Sequence, residues 1–267
     1  MIGVVLGTLA LVGAAQVGSA PSGPRWSLQV ASAQCLLERQ SNEPASTLSI
    51  ETAPGSDSYR LALASPNLKA EGTPGPASLT FGPSTHVLKG YARMALSPEG
   101  TPLFWMQGIA PVLLDELSGA ETVVVATPGG ASAVVPLAGA AKAVAALRRC
   151  SADQLIEWGA DGAQFEAGGR PPVPRKNRDE WISNQDVLAI AGQSTRPQIN
   201  DLFRVGVSPE GKVDDCQPVA GGVEPGVERI ACAAVMNKPL FTPASNATGT
   251  PVRGVATFRV SVMREPA

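Results

Sequence analysis

Residues 199–219 read INDLFRVGVSPEGKVDDCQPV, and residues 227–263 read VERIACAAVMNKPLFTPASNATGTPVRGVATFRVSVM. Phe203, Val205 and Val207 place apolar side chains on every second residue, the period of a half-buried strand. Pro209 to Lys212 form a tight turn, in which Gly211 is free to take a positive φ. Val213 to Val219 then read as the returning strand of a hairpin. From Glu224 to Met236 the spacing changes. Val227, Ile230, Ala231, Ala234 and Val235 share one face at helical period. Phe258, Val260 and Val262 alternate again, in a last strand.

This run of elements resembles the C-terminal periplasmic domain of the TonB family, energy transducers of outer-membrane uptake. The resemblance rests on Val205 and Val207, Gly211, Val213, the F-x-P-A of Phe241 to Ala244, Gly249, Pro251 with Val252, and Phe258 to Val262. Cys216 in the second strand and Cys232 in the helix match a bacterial branch of that family. Two features depart from its pattern. Trp181 to Asn184 stand where a Tyr-Pro pair usually opens the domain, and residues 220–225 (AGGVEP) replace a Ser-Ser-Gly. The resemblance implies a small domain with an antiparallel sheet and two helices. It also implies that a sheet edge captures a short segment of an outer-membrane receptor.

Composition sets the bounds. A chain of 267 residues suits one or two domains, and 44% hydrophobic residues suffice for a core. A net charge of −2 argues against a nucleic-acid binder. Few aromatics and abundant Ala, Gly and Pro suit a β-rich protein with many turns. Residues 1–20 read as a secretory signal peptide. Ile2 to Ala15 are apolar, and Gly18 to Ala20 offer small residues for cleavage. The alternative is an uncleaved anchor, although the run lacks a Lys or Arg at its start and reaches spanning length only with Gln16 and Ser19 included. Export to the periplasm places the four cysteines in an oxidising compartment. Three pairings are possible. Cys35–Cys150 with Cys216–Cys232 is favoured, because each bridge then staples one domain; four buried thiols are the alternative.

The first domain is expected over residues 26–160. Trp26 to Arg39, Thr47 to Glu51, Tyr59 to Leu63 and Leu79 to Phe81 read as short strands separated by Gly and Pro turns, a spacing that argues an antiparallel β-sheet or barrel. His86 to Met94 and Pro102 to Met106 are ambiguous. Ile109 to Leu117 reads as a short helix with Val112, Leu113 and Leu117 inward. Thr122 to Ala126 and Ala131 to Leu137 read as a hairpin. Ala140 to Cys150 reads as an Ala-rich helix, extended after a break by Asp153 to Trp158. This part weakly resembles the secreted invasion-associated locus B proteins. Residues 161–179 are rich in Pro and Gly and read as a stiff linker, with a basic cluster at Arg175, Lys176 and Arg178. At 180–267 the TonB-like domain follows. The fold class expected is therefore α+β: an N-terminal β-rich domain with one or two helices and a small C-terminal TonB-like domain with an antiparallel sheet and two helices.

Catalytic readings are weak. Gly206 to Lys212 approach a P-loop spacing, but Val213 stands where Ser or Thr should hold magnesium. His86 is the only histidine and has no G-x-S-x-G elbow to serve. Asp115 with Glu116, and Asp214 with Asp215, are neighbours that point apart. Neither a metal nor a cofactor is expected, nor an enzyme. Asn246 to Thr248 match a glycosylation sequon, read here as a loop.

What remains is binding of a protein or peptide partner through a sheet edge, with membrane contact only if residues 1–20 are retained. Thr257, Phe258, Arg259, Val260, Ser261 and Val262 are the expected partner-binding strand, because a last strand is often peripheral. Full energy transduction is not expected. The 161–179 stretch spans only about 60 Å even in extended polyproline form. The competing expectation is a disulfide-stapled structural or host-interaction protein.

Overall fold

The computed structural model describes residues 25–31, 33–42, 45–69 and 73–263. The signal peptide expected at residues 1–20 lies outside them.

Alternation dictates the larger unit. Nine strands form one antiparallel sheet: β1 (Arg25–Ala31), β2 (Gln34–Asn42), β3 (Ala45–Thr52), β4 (Tyr59–Ala64), β5 (Gly75–Gly82), β6 (His86–Leu96), β7 (Pro102–Ile109), β8 (Thr122–Ala126) and β9 (Ser132–Pro136). Their spatial order is β1-β2-β3-β4-β7-β6-β5-β8-β9. Leu37, Ile50, Leu61, Met106 and Ala92 stand in register across five of them, and all five are buried. Each large apolar side chain so buried contributes about 1.5–3 kcal/mol. The sheet curls until its two ends meet. Trp26 Nε1 in β1 and Arg39 Nη1 in β2 both donate to the Ala138 carbonyl, just past β9.

Two helices cover the inner face, α1 (Val112–Gly119) and α2 (Ala140–Glu157). In α1 the buried residues are Leu113, Leu114 and Leu117, while Val112, expected inward, is exposed. Helix α2 runs unbroken through Glu157, because no Gly or Pro interrupts its ladder at the break expected after Cys150. Its buried stripe is Ala140, Ala143, Val144, Leu147 and Cys150. Of the three cysteine pairings, Cys35–Cys150 and Cys216–Cys232 form. The first pins α2 to β2. Two disulfides mark an oxidising, exported environment. Among the described residues, no helix is long and apolar enough to cross a membrane.

The remainder comprises β10 (Val173–Pro174), α3 (Asn184–Gln193), β11 (Gln198–Val207), β12 (Val213–Pro218), α4 (Pro225–Val235), β13 (Phe241–Thr242), β14 (Ala244–Ser245), β15 (Pro251–Val252) and β16 (Gly254–Met263). Strand β11 lies between β12 and β16 in a three-stranded antiparallel sheet. Phe203 stacks on its register partner Phe258 at 5.3 Å, and both pack with Val227, Ala231 and Val235 of α4. In the β11–β12 turn Gly211 has φ +80°, and a Cβ there would overlap the Phe241 carbonyl. Helix α3 starts at a capping box in which the Ser183 hydroxyl accepts from the Asp186 N–H and Asp186 accepts from the Ser183 N–H. At the head of α4, Glu224 accepts from the Ser194 side chain, then from the N–H and hydroxyl of Thr195. These donors hold its carboxyl at about 2, below the ordinary glutamate value.

Residues 161–179, read as a linker, lie against this part. Arg170 and Ser245 exchange backbone hydrogen bonds, and β10 pairs with β13. The fold class needs correction. The chain is β-rich and built on the nine-stranded antiparallel sheet, whereas the α+β class with a TonB-like two-helix module as organiser was expected. An antiparallel sheet or barrel was expected in the first domain from the spacing of its strands, but its size and strand order were invisible to local reading. Its two halves are joined through β6 and β7, whose sequences carry no clean alternation, and β4 pairs with β7 across 37 intervening residues of other structure rather than with β5.

Candidate functional site

Strand β16 is an edge of the three-stranded sheet. Backbone groups of successive strand residues point to opposite sides. Those of Phe258, Val260 and Val262 face β11, where they pair with Phe203, Asp201 and Ile199. Those of Thr257, Arg259 and Ser261 face outward. The outward side is closed at one place. Thr257 N–H donates to the Gly55 carbonyl at 3.1 Å, and Thr257 Oγ1 donates to the Pro54 carbonyl at 3.0 Å.

The plug is the turn between β3 and β4. Gly55 sits there with φ +74°, and an added Cβ would lie 2.9 Å from Ala256 Cα. Only glycine fits both the backbone angle and the approach. Arg178 locks the turn from below. It donates to the Gly55 carbonyl, pairs with Asp57 at 2.9 Å and stacks over the Trp181 ring. Burial lowers the Arg178 pKa, and Asp57 opposes that shift.

Past Thr257 the edge opens into a cleft of about 1050 Å³. Among the described residues, the outward groups of Arg259 and Ser261 have no backbone partner. The opposite wall is the outer face of the nine-stranded sheet. Glu51, Arg60, Trp105 and Arg93 lie on that face in cross-strand register: Glu51 faces Arg60, and Arg93 faces Trp105. Arg60 pairs with Glu51 at 2.9 Å and lies over the Trp105 ring at 5.1 Å. Arg259 donates to the carbonyl and side-chain oxygen of Asn200 and, among the described residues, makes no ion pair within 4 Å. Burial, then the nearby Arg60 charge, lower its pKa, while the charges of Glu51 and Asp201 oppose that shift.

Of the six residues expected to bind a partner, the structure brings Arg259 and Ser261 to the open edge with their backbone groups outward. Phe258 and Val260 turn their side chains into the core, and Val262 packs partly against it. Thr257 is held by the plug. Sequence reasoning missed the other wall. Arg60, Arg93 and Trp105 reach the cleft from roughly 150 to 200 residues away in the chain, and no local pattern marks them. The weaker candidates lie elsewhere. His86 is exposed, with Nδ1 2.8 Å from Glu116. Asp115 pairs with Arg148, and Asp214 with Arg253. The Gly206–Lys212 segment is the β11–β12 hairpin, with no helix following it. Among the described residues, no three His, Cys, Asp or Glu side chains cluster.

No family model, curated protein or solved structure matches this chain.

Proposed function

We propose that this is a non-enzymatic, periplasmic protein that takes an extended segment of a partner protein as an added strand on β16. The single observation that carries the reading is an edge with outward backbone groups at Arg259 and Ser261 opening into a cleft of about 1050 Å³. Strand addition draws affinity from main-chain hydrogen bonds, each contributing about 0.5–1.5 kcal/mol. The plug at Thr257 gives the segment a fixed end point. The resemblance of residues 199–263 to the TonB family supports a partner class: short segments of outer-membrane receptors. All four cysteines are in disulfides, and the one histidine engages Glu116 at the surface.

The test uses the full chain and a fluorescein-labelled heptapeptide of alternating Thr and Val. Binding should be measurable by anisotropy and should vanish when alternate backbone nitrogens of the peptide are methylated. Equal binding of the methylated peptide would sink the reading, because side chains alone would then account for it.

A further inference from the structure

We infer that the cleft selects extended segments carrying an acidic side chain, which is received between Arg259 and Arg93. The inference rests on the strand-addition reading and adds the chemistry of the occupant.

The cleft is electrostatically incomplete. Four arginines line it, and two are neutralised: Arg60 by Glu51 and Arg178 by Asp57. The Arg93 side chain is exposed and has no hydrogen bond or ion pair among the described residues. Arg259 donates only to the two oxygens of Asn200, with Glu51 and Asp201 acting on it from beyond ion-pair distance. The remaining carboxylate on the lining, Asp179, adjoins Arg178 in sequence, on the side of the plug. A guanidinium does not shed its charge, so one that lacks an ion pair is open to an incoming anion.

Register says where that anion sits. The side chains of Thr257, Arg259 and Ser261 share one face of β16, and Thr257 directs that face toward the nine-stranded sheet through its bond to Pro54. A strand added to β16 turns every second side chain the same way. The one opposite Arg259 has its Cβ about 4.5–5.5 Å from that of Arg259, the distance at which opposite charges pair across strands. Arg93 and Trp105, on the facing wall, close the other side. A carboxylate there accepts from two guanidinium groups, and Arg presents its donors in a planar fork suited to that acceptor.

The experiment compares two probes on the full chain: the alternating Thr/Val heptapeptide with a central Glu, and the same peptide with Gln. The Glu peptide should bind roughly tenfold tighter, as expected for a charge-assisted contact in a partly solvated cleft. The preference should shrink as salt rises. R259Q and R93Q should each bring the Glu peptide close to the Gln peptide, with R93K retaining part of the preference. Equal binding of the two peptides to the wild-type chain would overturn this inference and leave strand addition standing. A preference that persists undiminished in both Gln variants would also overturn it. If neither peptide binds, strand addition fails and the inference falls with it.

Discussion

Replacing Ser261 with proline should leave the chain folded and reduce capture of an extended peptide at least tenfold. The expectation follows from the side on which Ser261 presents its backbone. Its N–H faces away from β11, so proline removes no bond of the existing ladder; the bonds at Val260 and Val262 remain. Proline is tolerated on an edge strand for this reason. An incoming strand, in contrast, loses a donor and meets the ring. One lost main-chain bond costs about 0.5–1.5 kcal/mol, and the steric conflict adds to it. The same substitution at Val260 provides the control. There the N–H belongs to the β11 pairing, so V260P should destabilise the fold. Denaturation midpoints separate the two cases. Unchanged peptide binding by a folded S261P chain would mean that the segment does not add to β16.

The second large effect concerns the bridge between β2 and α2. Replacing Cys35 and Cys150 together with alanine should lower unfolding stability by about 4–5 kcal/mol, because the bridge closes a loop of 115 residues. Replacing Cys216 and Cys232 should cost less, about 3 kcal/mol, for a separation of 16. Both bridges join a strand to a helix, so the comparison holds the kind of connection constant. Cys35 is fully buried and Cys150 nearly so, and alanine at both sites leaves no unsatisfied polar group. Guanidinium titrations of the two double variants read the difference directly. A loss below about 1 kcal/mol for the longer loop would show that α2 is held to the sheet by packing alone.

Local elements were legible where one physical rule governs them. Phe203, Val205 and Val207 alternate because one face of β11 is buried, and Gly211 marks the turn because its backbone requires φ +80°. The face of α4 was readable from Val227 to Val235 for the same reason. The start of α3 was readable in principle. Ser183 and Asp186 stand at capping-box spacing, but Asn184 to Gln193 carry no apolar stripe beyond the one buried side chain of Ile190. The order of the large sheet was not legible. Leu61 finds Met106 and Phe81 finds Val123 through pairings between distant segments, and nothing in either segment names its partner. The candidate site divides in the same way. Its β16 wall is a periodic strand, whereas Gly55 reads locally as one more turn glycine. Its role as a plug appears only once Ala256 lies beside it.

The most direct test is amide hydrogen exchange along β16, with and without a saturating amount of the Glu heptapeptide. In the free chain, Phe258 and Val260 should exchange slowly through their bonds to β11, and Thr257 slowly through its bond to Gly55. Arg259 and Ser261 should exchange fast. With peptide bound, Arg259 and Ser261 should become protected while the others stay as they were. If Arg259 and Ser261 are already slow in the free chain, or remain fast with the peptide bound, the edge is not where a partner joins.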